Sequence, residues 1–154
     1  MKSRMITLIS AIEEIIQSCE VCNVGMVDQD NLPYTLPFNF GYKNNTVYLH
    51  SAPAGKKIEI LKANPNVCIT FSNSHELYKQ SENVACSYGM RYKSVLIRGR
   101  VEFVEDYDEK ISILNLIMKQ YTQRDDFSYS EPSVKNVTVM KIEATKIEAK
   151  AFGY

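Results

Sequence analysis

Residues 32–51 read LPYTLPFNFGYKNNTVYLHS: an extended run, the turn residues Lys43, Asn44 and Asn45, and a second run that ends on a histidine. Asparagine tolerates positive φ, so Asn44-Asn45 suits a tight hairpin. Immediately before this stretch, VCNVGMV and the turn-like DQDN add a third run. Three short runs joined by turn residues make an antiparallel meander. Pro33 and Pro37 both fall in the middle run. Proline donates no ladder hydrogen bond, so that strand is expected at an edge, bulged, or turned toward something other than a neighbouring strand.

The flanks extend the pattern. Met5, Ile6, Leu8, Ile9, Ile12, Ile15, Ile16 and Cys19 recur at helical spacing, which predicts an amphipathic helix over 5–19, within an N-terminal segment 1–20 packed on the body. GKKIEILKANP predicts a short helix stopped by Asn64 and Pro65. NVCITFS predicts a strand with Val67, Ile69 and Phe71 on one face. Residues 73–87 are polar and weakly patterned, which predicts a loop with room for a helical turn. YGMRYKSVLIRGRVEFVE predicts a long strand with Val95, Ile97, Val101 and Phe103 in phase and a bend or bulge at Gly99. Asp106 and Glu109 form a capping-box pair for a helix carrying Ile111, Leu114, Met118 and Tyr121. A polar loop is expected over 122–136. In the β-rich tail the alternation slips between Val139 and Met140 and again near Lys146, which calls for two bulges or two strands.

No repeat, linker or low-complexity tract interrupts the chain. The expected fold is one domain over 1–154, mainly β with peripheral helices: a small antiparallel barrel of six or so strands. A chain of 154 residues buries roughly 70% of its unfolded surface. With 45% hydrophobic residues and zero formal net charge, a disordered tail or a broadly basic nucleic-acid binder is disfavoured. No apolar run reaches the roughly 20 residues that span a membrane. Glu13 and Glu14 break the N-terminal apolar run, unlike a signal peptide, so a cytoplasmic location is expected.

Several residues carry potential chemistry. Cys19 and Cys22 form a CxxC that closes a helix, and no second ligand pair completes a zinc site, so the four cysteines are expected to be free thiols and no metal is expected. Gly55-Lys56-Lys57 opens a helix. Unpaired backbone N–H groups, a helix dipole and two ammonium groups suit a terminal phosphate, and by themselves the residues are explained more simply by a solvated lysine pair on an exposed helix. The Walker pattern fails, because positions 50 and 57 are His and Lys. His50 shares a strand face with Thr46 and Tyr48, opposite Val47 and Leu49, and reads as either a hydrogen-bonded structural histidine or a catalytic one. His75 lies in the polar stretch with no evident partner. Leu36, Phe38 and Phe40 alternate with Pro37 and Asn39, leaving backbone groups available to a flat, polar-edged ligand. Ser94, Leu96 and Arg98 share one face of the long strand.

Taken in order, Pro37-Phe38-Asn39-Phe40, Tyr48-Leu49-His50-Ser51-Ala52, Gly55-Lys56-Lys57, Tyr92-Lys93-Ser94-Val95 and Gly99-Arg100 resemble the flavin-binding split-barrel family related to pyridoxamine 5'-phosphate oxidase, and within it the nitroimidazole-resistance (Nim-type) branch. The resemblance runs from about residue 22 to 121. It implies an FMN-binding homodimer with the cofactor at the subunit interface. Pro37, Phe38 and Asn39 would lie along the isoalloxazine edge. His50, Ser51 and Ala52 would line the ring and ribityl region, with His50 close to the flavin as the candidate catalytic group. Lys56 and Lys57, after Gly55, would hold the 5'-phosphate, assisted by Ser94 near Tyr92. Electrons would pass from a reduced nicotinamide or another donor to a small acceptor such as a nitroaromatic. The same fold also hosts non-catalytic flavin, deazaflavin or haem binding. Residues 73–87 match no family motif, and nothing resembles the pyridoxal phosphate site of true pyridoxamine phosphate oxidases, so that activity is not expected.

Overall fold

The computed structural model describes residues 2–154. Its elements are β1 (Ser3–Met5), α1 (Ile9–Gln17), β2 (Cys22–Val27), β3 (Pro33–Phe38), β4 (Phe40–Lys43), β5 (Thr46–Ser51), α2 (Lys56–Ala63), β6 (Asn66–Lys79), β7 (Tyr88–Val104), α3 (Tyr107–Thr122), α4 (Glu131–Lys135) and β8 (Thr138–Phe152). The strands pair antiparallel in the order β3-β2-β6-β7-β8-β5-β4, with β1 added to β8. Among the described residues no helix is long and apolar enough to cross a membrane.

The two ends of this sheet, β3 and β4, are consecutive in the chain and separated only by Asn39. The barrel is therefore closed by the covalent chain, where one bent strand changes partner. Counting β3 and β4 together gives six strands. The row through Pro37 crosses Asn23 and Thr70 and meets β7 at Leu96. The row through Phe40 crosses Leu49 and Met140 and meets β7 at Phe103. That displacement corresponds to a shear of about 10 residues, so the strands are steeply tilted. The expected middle strand thus divides in two. Its prolines sit on β3, an edge strand whose one ladder partner among the described residues is β2.

Inward positions fill the barrel. Val24, Phe40, Val47, Leu49, Ile69, Phe71, Ile97 and Ile142 are fully buried, and Phe40 meets Phe71 edge-on at 4.9 Å. α1 adds Ile15 and Ile16, and α2 adds Ile58, Ile60 and Leu61. α3 covers the outside of β8, where Val104, Ile113, Ile117 and Val139 form a second cluster.

Several expectations change. The N-terminal helix starts at Ile9, because Ser3–Met5 pairs with the edge of β8 and Ile6 N–H donates to the Ala149 carbonyl at 2.8 Å, satisfying backbone groups that a longer helix would leave open. Residues 73–79 are not loop but the continuation of β6. The hairpin with β7 slips register between Asn73 and Glu76, where Ser74 takes φ 55°, and only one short helical turn, Ala85–Ser87, lies at its tip. Polar side chains on both faces of this arm hide its period. The loop over 122–136 contains α4, capped by Ser130. On α3 the buried pair is Ile113 and Ile117, with Leu114 partly buried beside them, and Tyr121 is 41% exposed. Apolar residues run around that helix, so packing against β4, β5 and β8 chooses the stripe. Asp106 does cap Glu109 N–H at 2.9 Å, while the Glu109 carboxylate turns to Lys141 instead of closing the box.

The slip at Val139 and Met140 is not a bulge. Pairing with β5 is continuous there, and both residues are buried because β8 has the barrel on one face and α3 on the other. The slip near Lys146 is one: opposite Arg98 and Gly99 the partner jumps from Lys146 to Ala144. Thr145 is the extra residue and its hydroxyl donates to the Arg98 carbonyl at 3.0 Å. Gly99 is needed there by close approach. A Cβ would stand 2.5 Å from the Glu143 carbonyl oxygen and 2.6 Å from Ile142 Cγ2. Gly99→Ala is expected to cost about 1–3 kcal/mol in urea unfolding, as overpacking does, and an unchanged midpoint would contradict this contact.

Candidate functional site

The change of partner at Asn39 leaves a seam in the barrel wall. β4 pairs with β5 as far as Phe40 opposite Leu49. Two further steps would put Asn39 opposite His50 and Phe38 opposite Ser51, but there the chain turns to join β2. The seam therefore runs between residues 37–39 and 50–51. Tyr121 fastens one side of it. The Phe40 N–H donates to the Tyr121 hydroxyl at 3.0 Å, and that hydroxyl donates to the Glu20 carbonyl at 2.9 Å. No sequence signal marks this clamp, because it joins residues 81 positions apart.

Beyond β5 the Ser51 hydroxyl donates to the Ala52 carbonyl at 2.8 Å, and the chain reaches Gly55. Gly55 caps α2 with φ 122° and ψ 173°. Nothing lies within 4 Å of where its Cβ would be, so backbone conformation rather than space calls for glycine. The N–H groups of Ile58 and Glu59 bond the Gly55 carbonyl, and no side chain caps the helix. The first-turn N–H groups of Lys56 and Lys57 are left without intrahelical acceptors. Lys56 Nζ lies 4.8 Å from the Tyr34 ring centroid and Lys57 Nζ 5.7 Å from that of Phe38. Both lysines thus reach over β3. Among the described residues neither forms an ion pair. Pro37, Phe38, Asn39, His50, Ser51, Ala52, Gly55, Lys56 and Lys57 accordingly gather at one corner, and Tyr34 joins them.

His50 is half-buried. Its Nδ1 is enclosed and, among the described residues, has no hydrogen-bond partner. Burial draws its pKa below the ordinary 6.5, so the ring is neutral at pH 7. A buried ring nitrogen without a partner is uncommon and leaves one donor or acceptor unsatisfied. The depressed pKa has a sign. The unfolded chain binds more protons between the folded value and about 6.5, so the stability His50 contributes is present above 6.5 and is lost as pH falls through the folded value. NMR titration should show one of the two histidine rings titrating clearly below 6.5, with that signal absent in His50→Gln. A normal midpoint for His50 would contradict its burial.

The other expected residues lie apart. Ser94 pairs with Ser72 and Lys150, and Tyr92 stacks on Phe152 at 5.7 Å. The row through His50 crosses Val139 and meets β7 at Val104, ten residues from Ser94. On the other side the row through Pro37 meets β7 at Leu96 with β2 and β6 between, so within one chain Tyr92 and Ser94 stand three strands from residues 37–39. His75, expected without a partner, has its Nε2 2.9 Å from the Ser72 hydroxyl. All four cysteines are free. Cys19 donates to the Ile15 carbonyl at 3.2 Å, and burial pushes the Cys22 thiol up to about 12, which suits packing rather than thiolate chemistry. Among the described residues no cluster of metal-ligating side chains occurs.

Comparison with known proteins gives the corner a context. A family model described as pyridoxamine 5'-phosphate oxidase matches residues 10–151. A protein from Bacteroides thetaiotaomicron VPI-5482, provisionally assigned to 5-nitroimidazole antibiotic resistance, is 48% identical over 98% of this chain and 88% of its own, with a TM-score of 0.87. The flavocytochrome Anf3 from Azotobacter vinelandii has a TM-score of 0.82 at 18% identity, over 99% of this chain and 70% of its own. An FAD-binding protein from Mesorhizobium loti has a TM-score of 0.71 at 21% identity, over 99% and 100%. The last two likenesses concern the fold alone. No curated protein matches the sequence.

Proposed function

This chain belongs to the pyridoxamine 5'-phosphate oxidase family, and on that footing we propose that it is an FMN-dependent oxidoreductase that passes electrons from a reduced nicotinamide or similar donor to a small nitroaromatic acceptor. The observation that carries the reading is the seam. It combines a helix start suited to a terminal phosphate, an edge strand with free backbone groups, and the buried, unpartnered Nδ1 of His50. These fit the two ends of a flavin mononucleotide.

In this reading Lys56, Lys57 and the first-turn N–H groups of α2 hold the phosphate. The backbone of residues 37–39 meets the polar edge of the ring, and Ser51 and Ala52 line the ring and ribityl region. His50, neutral at pH 7, offers Nδ1 to the ligand and can hold or pass a proton there. Bound flavin supplies the electron transfer between donor and acceptor, while the protein supplies position and electrostatics. Tyr92 and Ser94 join the site from a second copy of the chain. The outer side of β6 and β7 carries the small polar residues Thr70, Ser72 and Ser94, and α3 packs elsewhere, on β4, β5 and β8. A homodimer through that outer side would complete the site. The nitroaromatic acceptor rests on the Bacteroides protein and its assignment to nitroimidazole resistance.

The test is anaerobic oxidation of a reduced nicotinamide with a 5-nitroimidazole as acceptor. Protein loaded with FMN should exceed free FMN at equal concentration. A rate equal to free FMN would contradict the enzymatic reading, and a Soret band in the purified protein would favour haem binding on the same fold.

A further inference from the structure

The bend at Asn39 is backed by α3. β4 begins at Phe40, and its second residue lies directly against that helix. A Cβ at Gly41 would stand 3.1 Å from the Ile117 nitrogen and 3.3 Å from the Leu116 carbonyl oxygen. Glycine permits that approach, and a side chain would press the two elements apart. One turn along α3, Tyr121 reaches the residue before. Its hydroxyl accepts from the Phe40 N–H and donates to the Glu20 carbonyl, and its ring stands edge-on to that of Phe40 at 6.5 Å. Gln120 serves the same junction, since its Nε2 donates to the Gln17 carbonyl at 2.8 Å and to the Cys19 carbonyl at 3.3 Å. Carbonyls at the end of a helix lack partners within it. The last turn of α3 therefore ties the end of α1 and the entry to β2 to the first residue of β4.

We infer that Tyr121 is a positioning residue for the flavin: through the Phe40 N–H it fixes the backbone of residues 37–39 that meets the ring edge. The inference rests on the flavin reading above and adds how that edge is held in place. Asn39 is the single residue between two strands with different partners, β3 on β2 and β4 on β5. It belongs to neither ladder, so its place follows from its two neighbours. Phe38 is held opposite Cys22 on β2. On the other side the ladder with β5 ends at Phe40 opposite Leu49, and the Phe40 N–H is taken by Tyr121. Removing that hydroxyl leaves a part-buried N–H donor and the Glu20 carbonyl short of a partner. The bend then loses a fastening, and the ligand must order it on binding, which lowers affinity. Tyr121 acts here through the backbone, not by contact with the flavin. It acts at the ring end of the site, not at the phosphate end.

Fluorescence titration of the full chain with FMN and with riboflavin tests this. Tyr121→Phe should weaken both flavins by the same factor, ~10-fold, because both carry the ring. A loss at the phosphate end would spare riboflavin. Gly41→Ala, which presses β4 away from α3, should weaken both in the same way and serves if Tyr121→Phe does not fold. The visible band and the reduction potential of bound FMN should also shift in these variants, since groups at the ring edge tune the flavin's electronics. A merely structural role would leave both where they are. Gly99→Ala, destabilised at the remote bulge, should keep both affinities within about twofold of wild type, as distant sites act independently. If Tyr121→Phe binds both flavins as wild type does, loses FMN alone, or shows an unshifted band and potential, the positioning inference is overturned while the flavin reading stands. The same holds if Gly99→Ala weakens both flavins as much. If wild-type protein binds neither flavin, both fall.

Discussion

Replacing Lys56 and Lys57 together by alanine should weaken FMN binding by ~100- to 1000-fold and leave riboflavin binding within about threefold, since charge-assisted hydrogen bonds to phosphate contribute roughly 1.5–3 kcal/mol each. The asymmetry follows from the geometry. Both ammonium groups reach over β3 from the first turn of α2, and among the described residues neither is committed to a carboxylate. They meet only the phosphate end of the ligand, which riboflavin lacks. The backbone N–H groups of the helix start remain in the variant, so FMN affinity should fall steeply without vanishing. The wild-type affinity should also fall with added salt more steeply than that of the variant. Equal losses for FMN and riboflavin would mean that the lysines act on the shape of the corner and not on a phosphate. Because Lys56 is exposed and Lys57 only half-buried, the thermal midpoint of the unliganded protein should barely move.

Phe40→Ala should be the most damaging single change in the barrel, costing about 3–5 kcal/mol. Phe40 is fully buried, packs edge-on against Phe71 at 4.9 Å, and starts the strand on the far side of the seam. Its removal opens a cavity where the two ends of the sheet are held together by the chain alone. Stabilities of single domains lie near 5–15 kcal/mol, so the loss is a large share of the total. A midpoint lower by roughly 10 °C is expected at this size. A shift of one or two degrees would mean that the seam does not depend on this ring.

How much of this was legible beforehand differs by region. Buried alternation revealed β2, the first half of β6 and β7, because Val67, Ile69, Phe71, Val95 and Ile97 all face one interior. The split of residues 33–43 into β3 and β4 was not legible. Both halves alternate correctly, and only the choice of partner at Asn39, a long-range matter, separates them. The β6 half of the arm, residues 73–79, was invisible for the opposite reason: polar residues on both faces give no period. β8 was hard to read because both its faces are buried, so Val139 and Met140 broke a pattern without breaking the strand. At the corner, His50 and Gly55-Lys56-Lys57 could be picked out from residue type and spacing. Tyr34 and Tyr121 could not, since their roles arise from contacts between distant elements. Tyr92 and Ser94 carry a family-like pattern but sit away from the corner within one chain, which is why the proposed site calls for a second copy.

The most direct measurement is the visible absorbance spectrum of the purified protein, with the released ligand identified by mass and its amount set against chain concentration. Flavin bands, a mass equal to FMN, about one equivalent per chain and a thermal midpoint raised by added FMN are expected, as binding to the native state alone requires. A colourless protein whose midpoint FMN leaves unchanged would contradict the flavin reading.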